Sequence, residues 1–492
     1  MTSTISYRNH SKKLVHLRQN NSSKINLIFP IDIGHLTEEF IFISETFEIH
    51  KFGGTITGTT RGLSRIKEIV CEAEHIPVLI VSAATGITDL LISILENLRE
   101  EKIPEYMDVL INRHDNLSPF DLRKNSDFLY EIRRLQRILF GISYTGELSD
   151  TLHDLVLSFG ERLVTYVIND VLADTGKKVT TIYPETCLIT NGKAKHASID
   201  LLTSAPLLKK QIEQAISDRK NDVIIIPGFY GVSPSGKINL FGRSGTDYSA
   251  SAVAYLLNSC HLTIWKDVSG FLSADPAIVN DAKRINSLNY GEASELSHFG
   301  AKILHHRAVI PAKLGKIPIR LRNIYHPEDV TIISSDTHID REKIIKSISF
   351  MKGLAILKFY NTYGATEGGL MNKITTVLAN MGIDVISVAT SQTCISFLVK
   401  SDELEGKVAS LELSCEDYVD SISVVENVSL IACVGEELAQ TPGVAFRVFG
   451  AMAKSGVNVD MISAGASSSA IHFTVHQKDL KTAILSLHSA LA

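Results

Sequence analysis

Over the first two thirds of the chain, short apolar runs alternate with longer amphipathic stretches. Residues 47–50, 77–81, 178–182, 222–226 and 262–265 are compact and mostly apolar, and each is bounded by turn-forming residues. Runs of that length, closed by Gly, Pro or Ser clusters, read as buried strands. Leu63–Glu74 shows apolar positions at helical spacing, residues 89–175 read as mostly helical, and Ala252–Leu257 is an apolar helix. A further helix is expected to start near Tyr290 and, after Gly300, to present Lys302 and His305. Strands alternating with helices predict a mostly parallel sheet with helices on both faces.

From about residue 345 the pattern changes, and two similar units follow. One runs from Gly369 through Gly382 to Ile395–Val399, the other from Gly443 through Gly456 to Ile471–Val475. Each reads as turn, amphipathic helix, glycine and two strands. An additional strand is expected near Ile344–Met351.

Candidate chemistry sits where strands end, the edge at which open α/β sheets bind ligands. Lys51-Phe52-Gly53-Gly54-Thr55 closes the first strand. Its glycines let backbone N–H groups approach an anion, which the lysine can also reach; a plain tight turn is the alternative. Ser82–Thr88 is a small-residue loop that offers hydroxyls at a helix start, or simply an N-cap. Glu161, in Ser158-Phe159-Gly160-Glu161-Arg162, is either a ligand for an amine or a surface acid near a helix start. The stretch Phe241-Gly242-Arg243-Ser244-Gly245-Thr246-Asp247 carries a guanidinium suited to gripping a carboxylate. Its aspartate is able to organise a lysine or polarise a reacting group. A capped loop with a surface arginine is the plain reading. Leu262–Trp265 leads into the polar turn Lys266–Gly270, and an Asp275-Pro276 step follows.

Composition narrows the class. The 492 residues suffice for about three domains. With 45% hydrophobic and 21% charged residues, a folded core is expected. A net charge of −5 lacks the basic excess of a nucleic-acid binder. The six cysteines show no CxxC spacing, so neither a zinc site nor a disulfide framework is expected, and the compartment reads as reducing. No apolar run reaches the roughly 18 residues of a membrane span. Residues 1–31 hold Arg8, Lys12, Lys13, Arg18 and Lys24 and no acid before Asp32. That composition suits an extra N-terminal arm or an organelle transit segment; the expected location is otherwise cytoplasmic.

Taken together, KFGGT at 51–55, VSAATGIT at 81–88, SFGER at 158–162, GFYG at 228–231, FGRSGTDYSA at 241–250 and the 262–312 stretch resemble the aspartokinases of the amino-acid kinase family. The resemblance covers about 46–335, in order and spacing. It implies an α/β fold, a mostly parallel αβα sandwich kinase domain, and ATP-dependent phosphorylation of the side-chain carboxylate of L-aspartate. By similarity, Lys51 neutralises the transferring phosphoryl group with Gly53 and Gly54 beside it, and Asp247 orients Lys51 or the acceptor. Arg243 binds the α-carboxylate of aspartate and Glu161 its α-amine. Thr88, Phe229 and Thr246 line the pocket, with Ser82 nearby, while Lys266, Asp267 and Lys302 lie beside ATP. Mg2+ is expected on the ATP phosphates, with no protein residue assigned as a metal ligand.

The two C-terminal units resemble paired ferredoxin-like ACT modules. The expected division is 1–45 as an N-terminal extension, 46–340 as the kinase domain, and 345–425 and 426–492 as the modules. The strand near 344–351 falls in the first by these bounds, and in the second if the pair is intertwined. Such modules imply a homodimer or larger even assembly and an amino-acid effector near Gly369, Asp384, Thr390 and Ser391. The chain departs from the family pattern at Ile56, Ser244, Thr246, Lys266, Leu272 and Ala277, which stand where Ser, Gly, Ser, Thr, Tyr and Arg are usual. Ile386 stands where lysine-sensitive members have Asp, and Asp384 where they have Ser, so weak or absent lysine inhibition is expected. Two rival readings are a kinase for a related amino acid and a non-catalytic ACT-based amino-acid sensor. At this length a fused dehydrogenase is not expected.

Overall fold

The computed structural model describes residues 47–216, 222–300, 303–335, 344–361, 369–438 and 440–491. Among the described residues, ten strands belong to the first part: β1 (Phe47–Phe52), β2 (Ile76–Val81), β3 (Lys178–Thr181), β4 (Asp222–Pro227), β5 (Tyr230–Val232), β6 (Ile238–Leu240), β7 (Leu262–Lys266), β8 (Ser287–Asn289), β9 (Ile319–Asn323) and β10 (Val330–Ser334). Eight form one sheet in the order β3-β4-β2-β1-β7-β9-β10-β8, and β5 and β6 make a separate hairpin. Every neighbour pair in the large sheet is parallel except β9 with β10.

Period-2 alternation splits each buried strand between two cores. Val78 and Ile80 of β2 face one cluster, with Ile224 and Ile226 of β4 and the helices Leu201–Ala215, Gly245–Leu256 and His306–Gly315. Leu79 and Val81, with Val223 and Ile225, face the other, under the helices Thr60–Glu72, Ile87–Glu96, Ile103–Asp115, Ser126–Thr145 and Asp150–Leu172. The result is the three-layer αβα arrangement expected from the strand–helix alternation.

Two local expectations change. The helix expected over Leu63–Glu74 starts at Thr60, because the Thr59 hydroxyl accepts from the Gly62 N–H and caps it. Gly62 is required there: a Cβ would meet the Ile56 carbonyl at 2.1 Å. The helix at Tyr290 does not run on to His305. It ends at His298, and Gly300 follows at φ +113, with the Phe350 carbonyl where a Cβ would stand. His305 instead caps a second helix, His306–Gly315, its ring accepting from the Arg307 N–H. Lys302 lies outside the described residues, as do residues 1–46.

The C-terminal part forms an antiparallel sheet from β11 (Ser347–Tyr360), β12 (Ser387–Thr390), β13 (Cys394–Lys400), β14 (Ser421–Val434), β15 (Met461–Ala464) and β16 (Ala470–His476), in the order β12-β13-β11-β14-β16-β15. Strands β11 and β14 are long and pair with each other at both ends. Residues 347–351 sit against 430–434, and 356–360 against 421–425. The helix Leu370–Asn380 packs on Leu357, Phe359 and Phe397, and the helix Val444–Lys454 packs on Ile431, Ile471 and Phe473. The opposite face, with Ile356, Leu398, Leu430 and Val434, is continuous with the core around Leu296 and Phe299 of the first part.

One buried histidine gives this fold a pH signature. The His114 imidazole is fully buried and bonds the Leu110 carbonyl at 2.8 Å through Nδ1, and burial pulls its pKa from 6.5 to about 4. The unfolded chain binds that proton first, so stability is lost as pH falls from about 6.5 to about 4, by up to about 3 kcal/mol. Urea unfolding across that range should show the loss in the wild type and a smaller one in His114→Leu.

Candidate active site

The parallel register brings four strand ends to one edge. Phe52 is level with Val81, Val81 with Pro227, and Phe52 with Trp265. Loops 53–59, 82–88 and 228–229 and the turn after Lys266 therefore emerge side by side. Phe47 and Ile49 of β1 face the core that contains Ala250, Val253 and Ala254, so Lys51 two residues on faces the same helix, Gly245–Leu256. Leu262 and Ile264 of β7 do likewise, and Lys266 continues their row.

These rows converge on Asp247, which occupies the first turn of that helix. The Lys51 Nζ lies 2.7 Å from its Oδ1, and the Lys266 Nζ lies 3.2 Å from its Oδ2. Burial alone would raise the Asp247 carboxyl; Lys266 and Lys51 outweigh it and hold its pKa at about 2. Burial brings Lys51 down to about 8, with Asp247 opposing the shift and Lys266 adding to it.

Glu161 is carried by the long helix Asp150–Leu172, which abuts the 82–88 loop. The close approach uses Gly160, whose Cβ would come within 2.9 Å of the Ala83 Cβ. Burial pushes the Glu161 carboxyl up to about 8, although the Ala83 N–H and the charge of Lys51 pull the other way. Its Oε2 is buried with no hydrogen-bond partner among the described residues. A buried carboxyl oxygen left without a donor is costly in isolation. It is suited to an arriving ammonium group.

Arg243 is exposed, and no acid among the described residues pairs with it. Its neighbour Ser244 holds φ +55, a left-handed conformation that suits the glycine usual there. Thr246 is buried against Gly228, where a Cβ would meet the threonine methyl at 2.5 Å. Phe229 is left-handed at φ +75, a sparsely populated state for an aromatic residue. It is fixed by its N–H to the Ser249 hydroxyl at 3.0 Å and by its carbonyl, which accepts from the Phe241 N–H.

On the other side, Gly54 leaves room for the Ala83 carbonyl, where a Cβ would stand 2.8 Å away. The Gly54 carbonyl accepts from the Thr85 hydroxyl at 2.7 Å. The Gly53 Cα faces the Lys51 ammonium: a Cβ there would come within 3.4 Å of Nζ. Ser82 and Thr88 are half-buried in the adjoining loop and helix start, and Asp267 is exposed in the turn after β7. Ile56 is fully buried in the apolar core, away from Lys51's face of β1, so this departure leaves the charged cluster untouched.

Two contributors had little signal in the sequence. Arg307 donates to the Phe241 carbonyl at 2.6 Å and the Ala197 carbonyl at 2.5 Å, fixing the base of the Arg243 loop. Its only hint was a guanidinium in the first turn of a mostly apolar helix. The pairing of Lys266 with Asp247 is the other. A cavity of about 560 Å³ lies beside Leu272, Pro276 and Ile303, and Ser347, Ile348 and Phe350 of the C-terminal sheet wall its far side. In the C-terminal sheet, Gly369 precedes the helix Leu370–Asn380 at φ +106, and Asp384, Thr390 and Ser391 are exposed. The Asp384 N–H donates to Glu403 at 2.7 Å.

Residues 47–323 match the amino acid kinase family, and residues 431–491 match the ACT domain. The first match spans more than half of the chain, which belongs to the amino acid kinase family. The bifunctional aspartokinase/homoserine dehydrogenase of Daucus carota is 29% identical over 468 residues, 90% of this chain and 50% of that protein. The chain thus spans about half the length of such bifunctional relatives. Lysine-sensitive aspartokinase 3 of Escherichia coli is 26% identical over 457 residues, 90% of this chain and 98% of that protein. The crystal structure of E. coli aspartokinase III in complex with aspartate and ADP superposes with a TM-score of 0.78 at 25% identity, over 91% of this chain and all of that one. Among the described residues no helix is long and apolar enough to cross a membrane.

The raised carboxyl of Glu161 carries a stability cost. The unfolded chain releases this proton near pH 4.5 and the folded one near pH 8, so stability falls as pH rises between those values. At pH 7 the Glu161→Gln variant should unfold at higher urea, with a gain of up to about 2–3 kcal/mol, and the gain should vanish below about pH 4.5.

Proposed function

We propose that the chain is an aspartate kinase, which transfers the terminal phosphoryl group of ATP to the side-chain carboxylate of L-aspartate. The observation that carries this reading is the Lys51–Asp247–Lys266 cluster set beside Glu161, whose buried Oε2 has no hydrogen-bond partner among the described residues. At neutral pH the acceptor carboxylate is already ionised, so no general base is required. The P–O bond to the leaving ADP breaks as the carboxylate oxygen forms its own P–O bond. The protein's work is positioning and charge neutralisation. Lys51 faces the transferring phosphoryl group, with Gly53 and Gly54 beside it. Glu161 takes the α-ammonium, Arg243 takes the α-carboxylate, and Thr88, Phe229 and Thr246 shape the pocket between them.

ATP is assigned to the side of β7, with its nucleoside in the cavity beside Leu272 and with Asp267 and Lys302 flanking the phosphates. Both Asp247 oxygens are engaged by lysines. The cluster therefore offers no free carboxylate to a metal, and Mg2+ fits as the partner of the nucleotide phosphates. When bound, it neutralises charge on those phosphates. Residues 46–340 are assigned to catalysis and 345–425 and 426–492 to two ACT modules that share β11 and β14, in an even-numbered assembly. Ile386 is half-buried and packs toward the core shared with the catalytic part, which leaves Asp384 as the exposed acid of an effector site with altered geometry.

Aspartate-dependent ATP turnover, with hydroxylamine trapping the acyl phosphate, tests the assignment. Lys51→Ala should lose nearly all turnover, and Arg243→Ala should mainly raise the aspartate KM, by about 10-fold or more. Turnover with glutamate instead of aspartate, or none with any amino acid, would refute the reading. Removing the carboxylate that pairs with an effector ammonium weakens binding by a few kcal/mol when the pair is buried. Inhibition by L-lysine should accordingly be absent or need millimolar concentrations, and micromolar lysine binding by calorimetry would overturn that expectation.

A further inference from the structure

Asp247 carries two ammonium groups, one at each oxygen of its carboxylate. Lys51 and Lys266 project from neighbouring parallel strands, with Lys51 level with Ile264 and Lys266 two residues nearer the open edge. Lys266 is also the more accessible, its side chain 18% exposed against 6% for Lys51. They bind different oxygens of the carboxylate, so neither displaces the other.

The arrangement matters at the moment of transfer. A phosphoryl group in reach of Lys51 competes with Asp247 for its ammonium. Were Lys51 the sole partner, its departure would leave a buried carboxylate unpaired, which is strongly unfavourable. With Lys266 in place the carboxylate keeps a cation throughout. We propose that Lys266 is a positioning residue for phosphoryl transfer, holding Asp247 so that the Lys51 ammonium is free to turn from the carboxylate to the transferring phosphoryl group. Lys266 forms and breaks no covalent bond, and no proton moves. The inference rests on the aspartate kinase reading above. It differs from a direct contact between Lys266 and the nucleotide, which would act on ATP binding.

The full-length chain and its Lys266→Met and Lys266→Arg variants distinguish these roles. Kcat, the separate KM values for MgATP and L-aspartate, and the pH dependence of kcat/KM are measured. Competitive acetylation followed by mass spectrometry reads the titration of Lys51 itself. Lys266→Met should lower kcat by about 10- to 100-fold with both KM values within about 3-fold. Removing the like charge should move the Lys51 titration, and the alkaline limb of the profile, to higher pH. Lys266→Arg should restore kcat to within about 3-fold. An unchanged kcat in Lys266→Met, a loss confined to the MgATP KM, or an unshifted Lys51 titration overturns the proposal. A wild type without aspartate-dependent turnover would instead refute the kinase reading, and the Lys51 titration, read without substrate, would still decide whether Lys266 governs the cluster.

Discussion

A carboxylate sealed from water stays ionised only while cations lie against it, and the candidate site is arranged around that requirement. Asp247 sits at the start of a helix whose first turns are buried on all sides. Burial there works against its charge, and two ammonium groups reverse the outcome. Those ammoniums are in turn affordable in a dry place only because the carboxylate is shared. Remove the acid and two lysines face each other; remove both lysines and the acid takes up a proton. The three side chains form one electrostatic unit, and the strand ends that carry them are held in register by it as well as by their ladder hydrogen bonds.

The sheet explains why this unit can exist. In a parallel sheet covered on both faces, every second residue of a strand enters the same core. Lys51 follows Phe47 and Ile49, and Lys266 follows Leu262 and Ile264, so both lysines are the last members of rows that are otherwise apolar. Each row runs beneath the Gly245–Leu256 helix. The transition from hydrocarbon to charge occurs at the strand ends, where the helix begins. The same edge receives Glu161 from the opposite face of the sheet, by way of the close contact at Gly160. Opposite layers thus contribute complementary groups to one opening.

Much of this was legible in the residues. The strands, the two-layered helical covering and the repeated C-terminal units follow from periodicity, and the motif at 241–250 pointed to Asp247 through its crowd of glycines and hydroxyls. Lys266 was legible in kind but not in role. Its position at the end of a strand was plain, whereas its partner lies in a helix 19 residues earlier in the chain and is fixed by tertiary packing. Ile56 shows the converse. Counted along the chain it interrupts a polar motif, and in space it is a core residue on the other face. The helix boundary before His305 lies at Gly300, which stands at φ +113 with the Phe350 carbonyl in the space a Cβ would take. No local propensity records such a contact.

That last contact belongs to a wider seam between the two parts. The Ile348 N–H donates to the Ser273 carbonyl at 2.8 Å, the Ser347 hydroxyl donates to the Leu272 carbonyl at 2.7 Å, and Lys346 pairs with the buried Glu292 at 2.9 Å. The Ser349 hydroxyl reaches the Phe299 carbonyl from the same strand. Strand β11 is therefore at once a central member of the C-terminal sheet, a wall of the cavity beside Leu272, and a backbone partner of the loop that follows β7. A displacement of β11 by more than a fraction of an ångström must either break these bonds or carry the loop with it. Close-packed interiors favour the second course, because they transmit strain rather than absorb it. The C-terminal sheet and the loop beside Lys266 are mechanically one structure, joined through groups whose hydrogen bonds leave little slack.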